Sequence, residues 1–188
     1  MRAMLEAFLV SSGVVALAEM GDKTQLLALM LAARFRAHGA IVLGIALATL
    51  ANHALAAAFG AWVASLAGAD AMRWILAVSF FAMAGWLLVP DKADDLAESK
   101  RKYGAFLTTL VAFFLVEIGD KTQVATVALA ARYPDLAAVV AGTTLGMLVA
   151  NVPAVYLGNR LLRRVPMLLL QRVAAASFAV LGVLVLLN

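Results

Sequence analysis

"LAEMGDKTQLLALM", residues 17–30, sets Glu19, Asp22 and Lys23 inside an apolar run that extends from residue 3 to 33. A near copy, "LVEIGDKTQVATVALA", occupies residues 115–130 inside a second run, 104–131. Each stretch is either a loop between two spans or a charged segment within one span. Only the 8 residues 26–33 separate Gln25 from Arg34. That is about 12 Å of helix, against roughly 30 Å of hydrocarbon, so the second alternative is the expectation. Each motif then belongs to one kinked or interrupted span, with Gly21 and Gly119 as the points of irregularity. The runs are centred near Ala18 and Glu117, which puts both motifs at mid-membrane depth.

The composition agrees. Of 188 residues, 65% are apolar and 14% charged, against about 45–50% and about 25% in a soluble domain. Absence of cysteine excludes disulfides and Cys-type zinc sites. The net charge of +4 does not point to nucleic acid, because the basic residues cluster in short connections between apolar runs. Six runs are apparent: 3–33, 40–66, 72–90, 104–131, 136–158 and 166–187. The first lacks the compact core and small-residue cleavage site of a signal peptide. The expected fold is an all-α polytopic membrane protein of six transmembrane helices.

Lys and Arg are retained on the cytoplasmic side. Arg2, Arg73 and Arg132 fall on one side; Arg34, Arg36, Lys92, Lys100, Arg101, Lys102, Arg160, Arg163 and Arg164 fall on the other. Three against nine places both termini outside and the 91–103 loop, with its mixed charges, in the cytoplasm as a solvated linker.

That linker separates a first three-helix repeat, 1–90, from a second, 104–188. Glu19-x-Gly21-Asp22-Lys23-Thr24-Gln25 matches Glu117-x-Gly119-Asp120-Lys121-Thr122-Gln123 at an offset of 98, which also pairs Gly44 with Gly142 and Gly60 with Gly158. Asn52 and Asn151 align within one position. An odd number of spans per half inverts the second half relative to the first, the architecture of many secondary transporters, whose sites lie where the repeats meet. Motif spans 1 and 4 would each be kinked or interrupted at mid-membrane.

A carboxylate in hydrocarbon costs at least a few kcal/mol, and this chain carries four. On a continuous helix Glu19, Asp22 and Lys23 share a stripe about 100° wide, and Glu19 and Lys23 have the spacing of an internal ion pair. Four acids against two lysines leave a formal −2, which interhelical salt bridges alone would not neutralise. One divalent cation would, and so would two protons, which is the logic of an exchanger. The donors are oxygens: the carboxylates, the Thr24 and Thr122 hydroxyls, the Gln25 and Gln123 amides. They suit magnesium, calcium or manganese, and a partly dry site favours the last two.

Two copies of E-x-G-D-K-T-Q, each in the first span of a three-span repeat, resemble the E-x-G-D-(K/R)-(S/T) family of membrane cation/proton exchangers, the second calcium/cation antiporter superfamily. The resemblance covers essentially the whole chain. It implies that Glu19, Asp22, Glu117 and Asp120 bind the metal and exchange protons. Lys23 and Lys121 would tune charge or latch to an acid of the opposite repeat; Thr24, Gln25, Thr122 and Gln123 would support the site. Without the targeting extension of organellar relatives, the chain is expected in the bacterial branch of MneA-type manganese exporters, in the inner membrane. Its transported ion would be manganese(II), with calcium as the alternative, exchanged for protons; no cofactor is expected.

Asn52, His53 and Asn151, in the spans after the motifs, either complete the coordination shell or hydrogen-bond between helices. Ser11, Ser12, Thr108, Thr109, Gly44, Gly60, Gly142 and Gly146 read as packing positions. Trp62, Trp74 and Trp86 read as interfacial anchors. A divalent-cation channel could use the same acids as a selectivity ring. An enzyme is not expected, since neither H-E-x-x-H nor G-x-S-x-G occurs.

Overall fold

A computed structural model describes residues 1–89, 104–158 and 167–187; the 91–103 linker and Arg160, Arg163 and Arg164 lie outside the described residues. The described residues form eight helices and no strand: α1 Arg2–Glu19, α2 Lys23–Phe35, α3 His38–Leu66, α4 Ala69–Leu87, α5 Ala105–Glu117, α6 Lys121–Arg132, α7 Leu136–Leu157 and α8 Met167–Leu187.

The apolar run 3–33 is two helices, α1 and α2, bent by 75° at the motif. This is an interruption rather than a kink, and the sequence dictates it. Met20 is extended (φ −65°, ψ 117°), Gly21 has φ 87°, and Asp22 N–H donates to the Glu19 carbonyl at 3.1 Å. Those values fit a type II turn, whose third position needs glycine. The second motif repeats it: Ile118 at φ −64°, ψ 119°, Gly119 at φ 76°, and Asp120 N–H to the Glu117 carbonyl at 3.2 Å. E-x-G-D is therefore a turn signature. The glutamate ends one helix, the glycine turns the chain, and the aspartate stands at the N-cap of the next.

The glutamines of the two motifs hold these turns. Gln25 Oε1 accepts from Gly21 N–H at 3.0 Å, and Gln123 Oε1 accepts from Gly119 N–H at 2.7 Å. In both cases the side chain reaches back to satisfy a donor ahead of the new helix's first turn. Asp135 caps α7 by accepting from Ala138 N–H at 3.0 Å. Gly158, at φ 61°, ends it.

Helices α3 and α7 are the longest, about 43 Å and 33 Å at 1.5 Å per residue. Each packs on a motif helix of the other half: α1 on α7, and α3 on α5 and α6. Glycines permit the close approach. A Cβ at Gly44 would lie 2.9 Å from the Phe106 carbonyl and from Thr109 Cβ; one at Gly142 would lie 2.6 Å from the Phe8 carbonyl and 3.0 Å from Ser11 Cβ. The partners Phe8 and Phe106, and Ser11 and Thr109, are again 98 apart. Gly60 meets Val127, and Gly158 meets Leu29, at the same offset. The sequence repeat is thus a repeat of contacts. Ser12 and Thr109 hydroxyls donate within their own helices, to Phe8 and Ala105 carbonyls.

Two apolar clusters fill the interior. One joins α4 to α8 around Phe80 and Phe178, whose ring centroids are 6.1 Å apart. The other gathers Val15, Ile41, Ile45, Phe113 and Met147 around the motif helices. Outside, the polarity of a soluble protein is reversed: Leu55, Phe59, Trp62, Trp74 and Leu115 are exposed while Glu19, Glu117, Asp120 and Lys121 are buried. That is a membrane protein's distribution. Three helices, His38–Leu66, Asp70–Leu87 and Leu136–Leu157, are each long and apolar enough to cross a membrane, and α1 with α2 counted as one span makes four.

Candidate metal centre

Because α1 and α5 both end at their glutamates, the two carboxylates are delivered where the helices' negative poles face the interior. Glu19, Glu117 and Asp120 are buried, and one oxygen of each lies within 4.8 Å of the others. Glu19 comes from one half and the remaining two from the other. The Lys23 ammonium joins them, 3.0 Å from Asp120 Oδ1. Three buried carboxylates against one ammonium, that of the partly exposed Lys23, leave a formal charge of −2.

Asp22 is buried as well but stands outside that group. Its Oδ1 accepts from Lys23 N–H at 2.7 Å and so caps its own helix, whereas Asp120 makes no such cap. The break in the helix also removes the Glu19–Lys23 ion pair expected of a continuous one. Lys23 starts a new helix and bonds an acid of the other half.

Around the carboxylates the polar side chains are partly satisfied. Asn151 Nδ2 donates to Glu19 Oε1 at 3.3 Å and to the Met147 carbonyl at 3.1 Å. Thr122 Oγ1 donates to Glu117 Oε2 at 3.0 Å. Asn52 Nδ2 donates to the Phe114 carbonyl at 2.9 Å, one turn before Glu117. Gln25 Nε2 crosses to the Ala150 carbonyl at 2.9 Å, so this amide is used as a clamp on both its atoms. Lys121 is buried, its Nζ 3.3 Å from the Val89 carbonyl.

Six buried oxygens here have no hydrogen-bond donor: Glu19 Oε2, Glu117 Oε1, Asp120 Oδ2, Asn52 Oδ1, Asn151 Oδ1 and Thr24 Oγ1. Buried polar atoms are rarely left so, and each costs about 1–3 kcal/mol when it is. All are acceptors. A bound cation satisfies such a set, and a hard oxygen-seeking divalent ion matches both its chemistry and its charge.

The strict offset of 98 pairs Asn151 with His53, not with Asn52. His53 is fully buried, and neither ring nitrogen has a partner.

A buried acidic cluster with excess negative charge inside a helical membrane protein defines a cation-handling membrane protein. Residues 7–95 and 105–188 match the family described as "Divalent cation/proton antiporter GDT1", and the chain belongs to that family. It is accordingly a transporter of cations and protons, not an enzyme. A protein of Vibrio cholerae serotype O1, provisionally named a manganese exporter, is 51% identical over 176 residues, covering 93% of this chain and 88% of that relative. No solved structure matches the chain.

Proposed function

We propose that this protein exports manganese(II) from the bacterial cytoplasm in exchange for protons, by alternating access at a site built from Glu19, Glu117 and Asp120, with Asp22 exchanging into it. The observation that carries this reading is the cluster of three buried carboxylates drawn from both halves, with its formal −2 and its orphaned oxygens. The name of the Vibrio cholerae relative supports manganese as the cargo.

The architecture we infer is six spans, α1 with α2, α3, α4, α5 with α6, α7 and α8, arranged as inverted repeats 1–90 and 104–188 joined by a cytoplasmic 91–103 linker. The offset-98 contacts support it, since Gly44 on α5 and Gly142 on α1 are one contact made twice with the halves exchanged. Both termini lie outside the inner membrane on the count of Lys and Arg.

The ionised group of three acids and Lys23 takes up one divalent cation on the cytoplasmic side. Asn52, Asn151, Thr24 and Thr122 add neutral oxygens, while Gln25 and Gln123 keep the turns in shape. Both the cation-loaded and the doubly protonated site are neutral, so both can cross between facing states, whereas the empty −2 site is held back by the cost of charge in hydrocarbon. That difference enforces exchange. Calcium is the second reading, favoured by the number of oxygen donors.

Metal sensitivity in cells lacking the gene tests the proposal. Such cells should become selectively sensitive to manganese, with rescue by the intact chain and none by Glu19→Gln. Equal rescue by that variant, or sensitivity to calcium alone, would refute it.

A further inference from the structure

The two halves are not equivalent at the site. Contacts at Gly44 and Gly142, at Gly60 and Gly158, and at Gln25 and Gln123 all obey the offset of 98. The same offset carries the pair Asn151–Glu19 onto the pair His53–Glu117. One glutamate therefore has an amide facing it across the α1–α7 contact. By that register His53 holds on α3 the place that Asn151 holds on α7, and its neighbour Asn52 bonds the Phe114 carbonyl of α5.

His53 is unexplained as a core residue. Its side chain is fully buried and both nitrogens lack partners, although a neutral imidazole carries one N–H donor and one lone pair. The Ser12 and Thr109 hydroxyls are satisfied by carbonyls of their own helices, and neither nitrogen of His53 is. At the glutamate that the register assigns to it, Glu117, Oε1 also lacks a partner. An imidazole nitrogen and an unsatisfied carboxylate oxygen, paired by the register, form a mixed donor set for a metal ion, which the amide of Asn151 does not offer its glutamate.

We propose that His53 supplies a nitrogen donor to the transported cation on the Glu117 side, and that this donor gives a first-row transition ion preference over calcium and magnesium. Calcium and magnesium are held by oxygen alone, whereas transition ions accept imidazole as well. His53 stands outside the group of three carboxylates within 4.8 Å, and the proposed role requires its ring to approach Glu117 when the ion binds. The inference rests on the cation-exchange reading above and deepens it, because the oxygen donors alone do not separate manganese from calcium.

The test is pulsed electron paramagnetic resonance of the full chain in detergent with Mn2+ as the probe. Bound Mn2+ should show imidazole nitrogen coupling, lost in His53→Asn, which copies the Asn151 side, and in His53→Gln. In competition, calcium should displace Mn2+ from either variant at concentrations about tenfold or more below those the natural chain requires, the size of effect seen when a metal site loses a supporting group. Bound Mn2+ with oxygen couplings only would overturn the role of His53, as would variants with an unchanged manganese-to-calcium ratio. Failure of the natural chain to bind Mn2+ at all would instead overturn the exchange reading and this inference with it. If a variant fails to fold, the coupling in the natural chain decides alone.

Discussion

Two stretches with the same seven-residue pattern, 19–25 and 117–123, adopt the same turn and then diverge. Asp22 caps α2; Asp120 leaves its helix uncapped, pairs with Lys23 and enters the carboxylate group. Lys23 keeps 29% of its side chain exposed, while Lys121 is buried. Thr122 bonds its glutamate and Thr24 bonds nothing. The shared residues thus fix the local backbone, whereas the packing around them decides which aspartate joins the carboxylate group. On the exchange reading proposed above, such a difference would mark one facing state, and the roles of Asp22 and Asp120 would reverse in the other.

The largest expected effect breaks this comparison directly. Asp120→Asn should weaken equilibrium Mn2+ binding by at least about tenfold, since it removes both a ligand and the partner of Lys23, and Asp22→Asn should weaken it less. Titration calorimetry without a pH gradient would read the difference. Equal losses would mean that the two aspartates are interchangeable at rest.

Next are the glycines at the helix crossings. Gly142→Ala and Gly60→Ala push a methyl group into the Phe8 and Val127 backbones, and should cost about 1–3 kcal/mol as overpacking. Gly13→Ala, with open space around it, should leave the thermal midpoint unchanged or raise it. Unchanged melting in the first two variants would show that the halves do not approach as described.

The smallest effect separates the two glutamines. Gln25→Ala removes a turn clamp and the bond to the Ala150 carbonyl, while Gln123→Ala removes the bond at its turn. At about 1 kcal/mol per bond, the first should be the more destabilising by about that amount. Reversal of the order, measured by denaturant unfolding in detergent, would remove the cross-half role of Gln25.

Much of this was legible in the residues. The apolar runs announce helices in a membrane, Gly21 and Gly119 announce a break, and the offset of 98 announces paired contacts. Helical periodicity pairs Glu19 with Lys23 because it presumes one continuous helix, and a type II turn ends that presumption after Glu19. The separation of Asp22 from Asp120 has no local signal, because both stand in the same seven residues. His53 was present in the register all along. Residue type pairs Asn151 with Asn52, and only the fixed offset of 98 pairs it with His53.

The central claim is that one buried site between the halves carries either a divalent cation or protons. Proteoliposomes holding the natural chain, loaded with Mn2+ and placed in an imposed pH gradient, test it most directly. The account predicts manganese movement against its own gradient, driven by protons flowing the other way, and its loss in Glu19→Gln and Glu117→Gln proteins that remain folded. Manganese flux indifferent to the pH gradient, or undiminished in both variants, would contradict it.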